Sequence, residues 1–223
     1  MAGSSASVTF PMPTIVPLGD SGLLVRFGTV LTDAANRAAI ALALALDRMP
    51  VAGVTEVVPN LVSVLLRYDP ASGASAAAIS GELRLRLFAL ADVAPQTGHW
   101  TMRVRFEGPD LDTVAAALHM TQGQFVAAHN ARPLRVLATG FAPGFVYCGL
   151  HPDDLVLPRR TAVRPSVPPG SVLFAAGQTA IASTEMPTGW HVIGHTDFVN
   201  FDPAARPPTR LGAGDMLTFE AIS

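Results

Sequence analysis

From Leu134 to its end the chain is a succession of short β-prone runs cut apart by glycine and proline, and this punctuation limits the available folds more than any other feature. The runs are Arg135–Ala138, Val172–Ala175, Thr179–Ala182, His191–Ile193, Phe198–Phe201 and Met216–Ile222. Many short strands at such spacing predict a barrel or a sandwich.

The first half reads differently. Leu23, Val25 and Phe27 alternate with Leu24 and Arg26 behind the turn Gly19–Gly22, which predicts a strand with one buried face. Asp33–Arg48 is rich in Ala and Leu, follows Thr32 as an N-cap and stops at Pro50, so it predicts a helix. Val54–Val58 and Leu61–Tyr68 predict two strands parted at Pro59 and Asn60, and a second helix follows over about Ala74–Ala91. The first ten residues are expected to fray. Ala94–Gly98 lacks periodicity and predicts a linker, after which Trp100, Met102, Val104 and Phe106 alternate as a strand. Asp110 is expected to cap a helix running to about His119, and Thr121 with Gln124 forms a capping box for one ending near Asn130. With 223 residues against the roughly 100–150 typical of a domain, the expectation is an α+β chain in two domains, 1–95 and 99–223.

Composition excludes several function classes. Half the chain is hydrophobic (49%) and only 14% charged, so it can fill a core; a net charge of −2 offers no electrostatic attraction for nucleic acid. All 15 basic residues are arginine, which removes Schiff-base chemistry and a P-loop lysine. The single cysteine, Cys148, has no intramolecular disulfide partner and is expected to be a buried small hydrophobe. The apolar stretch Ala38–Leu46 is far short of the roughly 20 residues of a membrane span, and no signal-peptide pattern opens the chain. A cytoplasmic location, with neither membrane nor nucleic acid as partner, is the expectation.

Three segments hold polar residues among glycine and proline: Gly140–Leu150 (GFAPGFVYCGL), Val167–Ile181 (VPPGSVLFAAGQTAI) and Thr188–Thr196 (TGWHVIGHT). Such loops can present N–H groups and side chains in a preorganised way, and they serve equally as barrel corners. His129 shares a helical face with Phe125 near a helix end, where an imidazole acts either as general acid or base or as a partner for terminal carbonyls. Arg160 reads as a solvated surface charge. His191 and His195 would lie on one face of a strand, with no third ligand in view, so no metal is expected.

The same strings, taken with Pro158, Arg159 and Arg164, with GDSGLLVRFG near the start and EVVPNLVSVLLRYDP at Glu56–Pro70, resemble the signature of the allophanate hydrolase subunit 1 family, also called the 5-oxoprolinase B subunit or KipI family. The resemblance covers nearly the whole chain. It implies a small α/β domain followed by a cyclophilin-like β-barrel. It further implies a subunit of an ATP-dependent complex that opens the lactam of 5-oxoproline, with a carboxyltransferase-like large subunit as partner and a composite active site. The alternative is a regulatory protein that binds and inhibits a sensor histidine kinase without catalysis. On this reading His129, Arg164 and Gln178 are the catalytic candidates, Arg164 clamping a carboxylate and Gln178 polarising a lactam oxygen. Phe141, Pro143, Gly144, Tyr147, Arg159, Gly177, Thr179, Trp190 and His195 are the substrate-binding candidates. The chain departs from the family where relatives usually read GIAGGQTGIYP: it has Leu173–Ser183 (LFAAGQTAIAS), which adds side chains at positions that elsewhere permit close backbone approach.

Overall fold

The structure, a computed structural model, describes residues 10–88, 90 and 97–223. The expected frayed terminus up to residue 9, the end of the second helix and most of the expected linker lie outside the described residues. Contacts divide the chain into two compact units after position 96.

In the first unit, strands β1 (Thr14–Leu18), β2 (Gly22–Arg26), β3 (Val54–Pro59) and β4 (Ser63–Tyr68) form an antiparallel sheet in the order β1-β2-β4-β3. The two edge strands carry the prolines of the sheet, Pro17 and Pro59, where a missing N–H leaves no ladder bond unmade. Pro17 is also why β1 escapes a reading by periodicity. Helix α1 (Asp33–Arg48) has the expected bounds, with Thr32 Oγ1 accepting from the Ala35 N–H at 3.2 Å. Its buried Ala35, Ala38, Ala39, Leu42 and Leu46 recur at helical spacing and pack with Leu23 and Val25 of β2 and Val64 and Leu66 of β4. Each fully buried Leu or Val there contributes about 1.5–3 kcal/mol. Helix α2 (Ala76–Phe88) adds Ile79 and Leu83 to that core.

The second unit is a curled sheet. Strands β5 (His99–Val104), β6 (Leu134–Thr139), β7 (Val146–Gly149), β9 (Ser171–Ala175), β10 (Gln178–Ile181), β12 (His191–His195) and β13 (Met216–Ala221) follow the order β12-β9-β10-β7-β6-β13-β5. Only the β13–β5 pairing is parallel. The sheet's two edges meet: Arg105, one residue past β5, exchanges both backbone bonds with His195 of β12, each 2.9 Å. Helices α3 (Leu111–Ala117) and α4 (Gln122–His129) contribute Leu111, Val114 and Phe125 to the interior, beside Val136, Cys148, Phe174, Ile181 and Phe219 of the sheet. A separate ribbon of β8 (Arg164–Val167) and β11 (Met186–Thr188) lies on the outward face, where Val167 and Met186 join Phe145, Leu173, Ala180 and Trp190 in a second apolar cluster. The mixed α and β architecture with a curled sheet agrees with the α+β expectation at that level.

Three local expectations need correction. Asp110 does not cap α3 with its side chain; its carboxylate accepts instead from the Val192 N–H at 2.8 Å and from two arginines. That helix ends at Ala117, ahead of His119, whose φ of 57° is incompatible with a continuing helix. Phe198–Phe201 is not a strand. Apart from one bridge between Phe201 and Thr209, the segment is held by side chains: Phe198 stacks edge-on with Trp100 at 5.9 Å, and Asn200 donates to Gly144 O at 2.8 Å. The capping box of Thr121 and Gln124 is present as expected.

Candidate functional site

Alternation along the strands of the second unit sorts the candidate residues onto two faces. On β10, Thr179 and Ile181 point inward, Ile181 in the interior cluster, while Gln178 and Ala180 point outward. On β7, Val146 and Cys148 point inward and Tyr147 outward. Cys148 is fully buried, which pushes its thiol pKa up and leaves it unreactive.

The inward face holds a polar network. His129, wholly buried at the end of α4, places Nε2 2.8 Å from Thr179 Oγ1 and Nδ1 2.7 Å from Asn130 Oδ1. His151, just past β7 and nearly buried, places its own Nε2 2.8 Å from the same Thr179 oxygen. Phe106, Phe125, Phe174 and Phe219 surround the His129 ring at centroid distances of 5.1–6.4 Å. Burial pushes the His129 pKa down to about 4, partly opposed by the Asn130 bond. Burial, reinforced by the His129 and Arg132 charges, pushes His151 to about 3. Both rings are neutral at pH 7. Sequence reasoning missed His151, which directly follows the glycine-rich string Gly140–Leu150 and so carried a positional signal.

The outward face gathers four other candidates. Tyr147 packs edge-on against Trp190, 6.0 Å between centroids, and the Arg159 guanidinium lies 5.7 Å from the Trp190 ring centre. Burial raises the Tyr147 pKa, and the Arg159 charge opposes that shift. Gln178 pairs across the sheet near Tyr147: Ala180 is opposite Tyr147, so Gln178 is its diagonal neighbour on the same face. The Gln178 side chain is buried, yet its Oε1 has no partner among the described residues. Phe141 is exposed beside Phe145, at 5.7 Å, with φ of 81°. Pro143 is exposed next to Gly144, whose φ of 70° and a Cβ position only 2.5 Å from Phe201 Cβ exclude any larger residue.

The three expected catalytic residues do not come together. His129 faces the interior, Gln178 faces out through the next residue of the same strand, and Arg164 is held elsewhere. Arg164 Nη2 donates to both Asp110 oxygens, at 2.9 and 3.0 Å, and Arg160 Nη1 donates to Asp110 Oδ1 at 2.6 Å. Burial tends to raise the Asp110 pKa, but the Val192 N–H bond and the Arg164 and Arg160 interactions together lower it. A carboxylate clamp therefore already has its carboxylate, within the chain. Arg160, read from sequence as a solvated surface charge, is instead partly buried and paired with the buried Asp110. Arg159 has no carboxylate partner among the described residues.

His191 and His195 also separate. A bulge between Val192 and Gly194 puts His191 opposite Phe174 and His195 opposite Ser171, residues on opposite faces of β9. His191 Nε2 meets Pro158 O at 3.1 Å, whereas His195 sits 3.6 Å from Asp197, beside a cavity of about 220 Å³ that both line with Ser183 and Asn200. Among the described residues no group of three or more His, Cys, Asp or Glu is arranged to hold a metal ion, and no helix is long and apolar enough to cross a membrane.

A curled sheet with a helix-filled interior, with Gln178 on a strand and Trp190 and Arg159 on glycine- and proline-bearing connections, fits a carboxyltransferase-type domain. The chain belongs to the family of allophanate hydrolase subunit 1 and the 5-oxoprolinase B subunit: the family model for "Carboxyltransferase domain, subdomain C and D" matches residues 13–211. The 5-oxoprolinase B subunit of Bacillus subtilis (strain 168) is 32% identical over 222 residues, covering 94% of this chain and 92% of that protein. That of Escherichia coli O157:H7 is 42% identical over 112 residues, half of either chain. Among solved structures, TTHA0988 superposes with a TM-score of 0.74 at 35% identity over 91% of this chain, which spans only 40% of that longer one. The urea amidolyase of K. lactis, at 17% identity and a TM-score of 0.72, shares the fold.

Proposed function

We propose that the chain is one subunit of a 5-oxoprolinase-like complex, contributing the outward face of its curled sheet to an active site completed by a carboxyltransferase-like large subunit. The observation that carries this reading is the 32% identity to a 5-oxoprolinase B subunit across 92% of that protein's length. The second unit is read, by family, as a cyclophilin-like barrel, and the outward face suits a small anionic lactam. A cyclic amide is locked cis, so its N–H and C=O point the same way. A primary carboxamide presents a complementary acceptor and donor pair. Once a side-chain rotation brings its buried, unpartnered Oε1 to the surface, Gln178 would receive the lactam N–H there and donate Nε2–H to the lactam oxygen, a bond that strengthens as charge develops. Tyr147 and Trp190 wall the ring, and Arg159, stacked on Trp190, takes the carboxylate in the role that sequence alone assigned to Arg164.

ATP, implied by the family, does not fit the residues described here. The chain has no lysine, Arg160 and Arg164 are both engaged by the Asp110 carboxylate, and at the starts of α1 and α4 the Ala35 and Gln124 N–H groups already donate to Thr32 and Thr121. We therefore assign no step through a nucleotide to this chain; on this reading the phosphates are held mainly by the partner. The test is glutamate release from 5-oxoproline by the chain alone, by the large subunit alone and by the mixture, with and without ATP. Activity only in the mixture supports a shared site, and full turnover by the isolated chain refutes it.

A further inference from the structure

We infer that Thr179 is the middle of a one-way hydrogen-bond chain, from His151 through Thr179 to His129 and Asn130, and that the two histidines are positioning residues that fix the outward neighbour Gln178. The inference rests on the role proposed above for Gln178. Its starting point is a count of protons. A threonine hydroxyl has one hydrogen, yet both imidazole Nε2 atoms lie 2.8 Å from Thr179 Oγ1. The hydroxyl donates to one ring and must accept from the other. His129 decides which. Its Nδ1 lies 2.7 Å from Asn130 Oδ1, an atom that only accepts, so Nδ1 carries the ring hydrogen. In a neutral ring this leaves Nε2 bare, and Thr179 donates to it. His151 Nε2 must then bear a hydrogen and donate to Thr179, leaving its Nδ1 bare. The two histidines hold opposite tautomers, each set by its partner.

The consequence for the outward face follows from strand geometry. Gln178 precedes Thr179 and follows the tight turn at Ala176 and Gly177, whose φ angles are 52° and 69°. The turn sets where β10 begins, and the two hydrogen bonds at Thr179 Oγ1 set its rotation about its own axis. A side chain tethered inward at position 179 directs the one at 178 outward. Helix α4 and the segment after β7 hold that tether from two sides, so an error in either would be felt at the Gln178 amide.

The first measurement is a long-range ¹⁵N–¹H correlation spectrum of the histidine-labelled full chain at pH 7. It should give the Nδ1-protonated pattern for His129 and the Nε2-protonated pattern for His151. The reverse pair, two identical tautomers or a charged ring in either position would overturn the chain of bonds. The second is kinetic, in the reconstituted complex. Thr179→Val, folded by circular dichroism, should lower kcat by about tenfold to a hundredfold with KM within a factor of about two, since a misplacement of about 1 Å is enough for such a loss. Thr179→Ser, which keeps the hydroxyl, should restore it. Wild-type kcat in folded Thr179→Val would overturn the positioning role. Wild-type kcat in Gln178→Ala would instead defeat the site proposed on the outward face, a failure the tautomer spectrum does not share.

Discussion

Lowering the pH from 7 to 5 should destabilise the second unit by about 4 kcal/mol, and the two interior histidines are the reason. An unfolded histidine protonates near pH 6.5. In the fold, His129 is pushed down to about 4 and His151 to about 3, in both cases chiefly by burial. Between those limits the unfolded chain binds protons that the native chain refuses, so stability rises with pH across the window and is lost as pH falls through it. Each histidine contributes a slope approaching about 1.4 kcal/mol per pH unit once pH is below 6.5, and integrating from 7 to 5 gives roughly 1.8 kcal/mol for each. Asp110 works in the opposite half of the scale: its lowered pKa keeps its contribution intact at pH 5 and forfeits it only as pH falls below the ordinary carboxylate range, near 3.9. Guanidinium unfolding at pH 7, 6 and 5 would read the loss as a falling midpoint with an unchanged m-value. A loss of this size is a large share of the roughly 5–15 kcal/mol available to a domain. A flat midpoint over that range, or either imidazole titrating near 6.5 by NMR, would refute the burial argument.

Ala176 occupies the first position of a two-residue turn between β9 and β10 with φ of 52°, a conformation that disfavours L side chains by about 1–2 kcal/mol. Ala176→Asn should raise Tm by about 2–4 °C by differential scanning calorimetry, since Asn tolerates that region and the exposed methyl makes no packing worth keeping. Asp110→Ala should destabilise by about 3 kcal/mol in urea, because it strands Arg160 and Arg164 and orphans the Val192 N–H, while Asp110→Asn should fall between it and wild type. Arg159→Ala should raise KM for 5-oxoproline about tenfold with little change in kcat in the assembled complex, as expected of a contact common to ground and transition states.

Local signals were legible in the sequence, and the outcome at each depended on how far away the deciding partner was. Thr32 and Thr121 cap their helices through bonds three residues away, so spacing alone identified them. Asp110 is another cap-favouring residue at an N-cap position, yet its carboxylate is claimed by Val192, 82 residues on, and by arginines 50 and 54 residues on. No pattern within a helical turn carries that information. Arg160 and Arg164 were misjudged for the same reason, one as solvated and the other as free to bind substrate. The His191–His195 pair was misjudged because a bulge shifts the face by one residue and leaves no compositional mark beyond Gly194. His151 was passed over because its role depends on Thr179, which reaches it only through the β7–β10 pairing.

That pairing also explains how one short stretch of sequence serves two surfaces. In an extended strand a step of one residue crosses the sheet, so the string Gly177–Gln178–Thr179 cannot be a single site, although it reads as a single motif. Thr179 is bound inside between two neutral imidazoles, and Gln178 lies on the opposite face, diagonal to Tyr147, with a buried oxygen unpartnered among the described residues. The inward half rigidifies through satisfied hydrogen bonds, while the outward half keeps a buried acceptor in reserve. Leaving such an acceptor unpaired costs about 1–3 kcal/mol in the free chain. A ligand that supplies the missing N–H recovers that free energy on binding. A substrate lacking the lactam hydrogen, such as the N-methyl analogue, should therefore bind the complex more weakly by about one decade or more. Equal affinity for the two would place the Gln178 amide outside the substrate's reach.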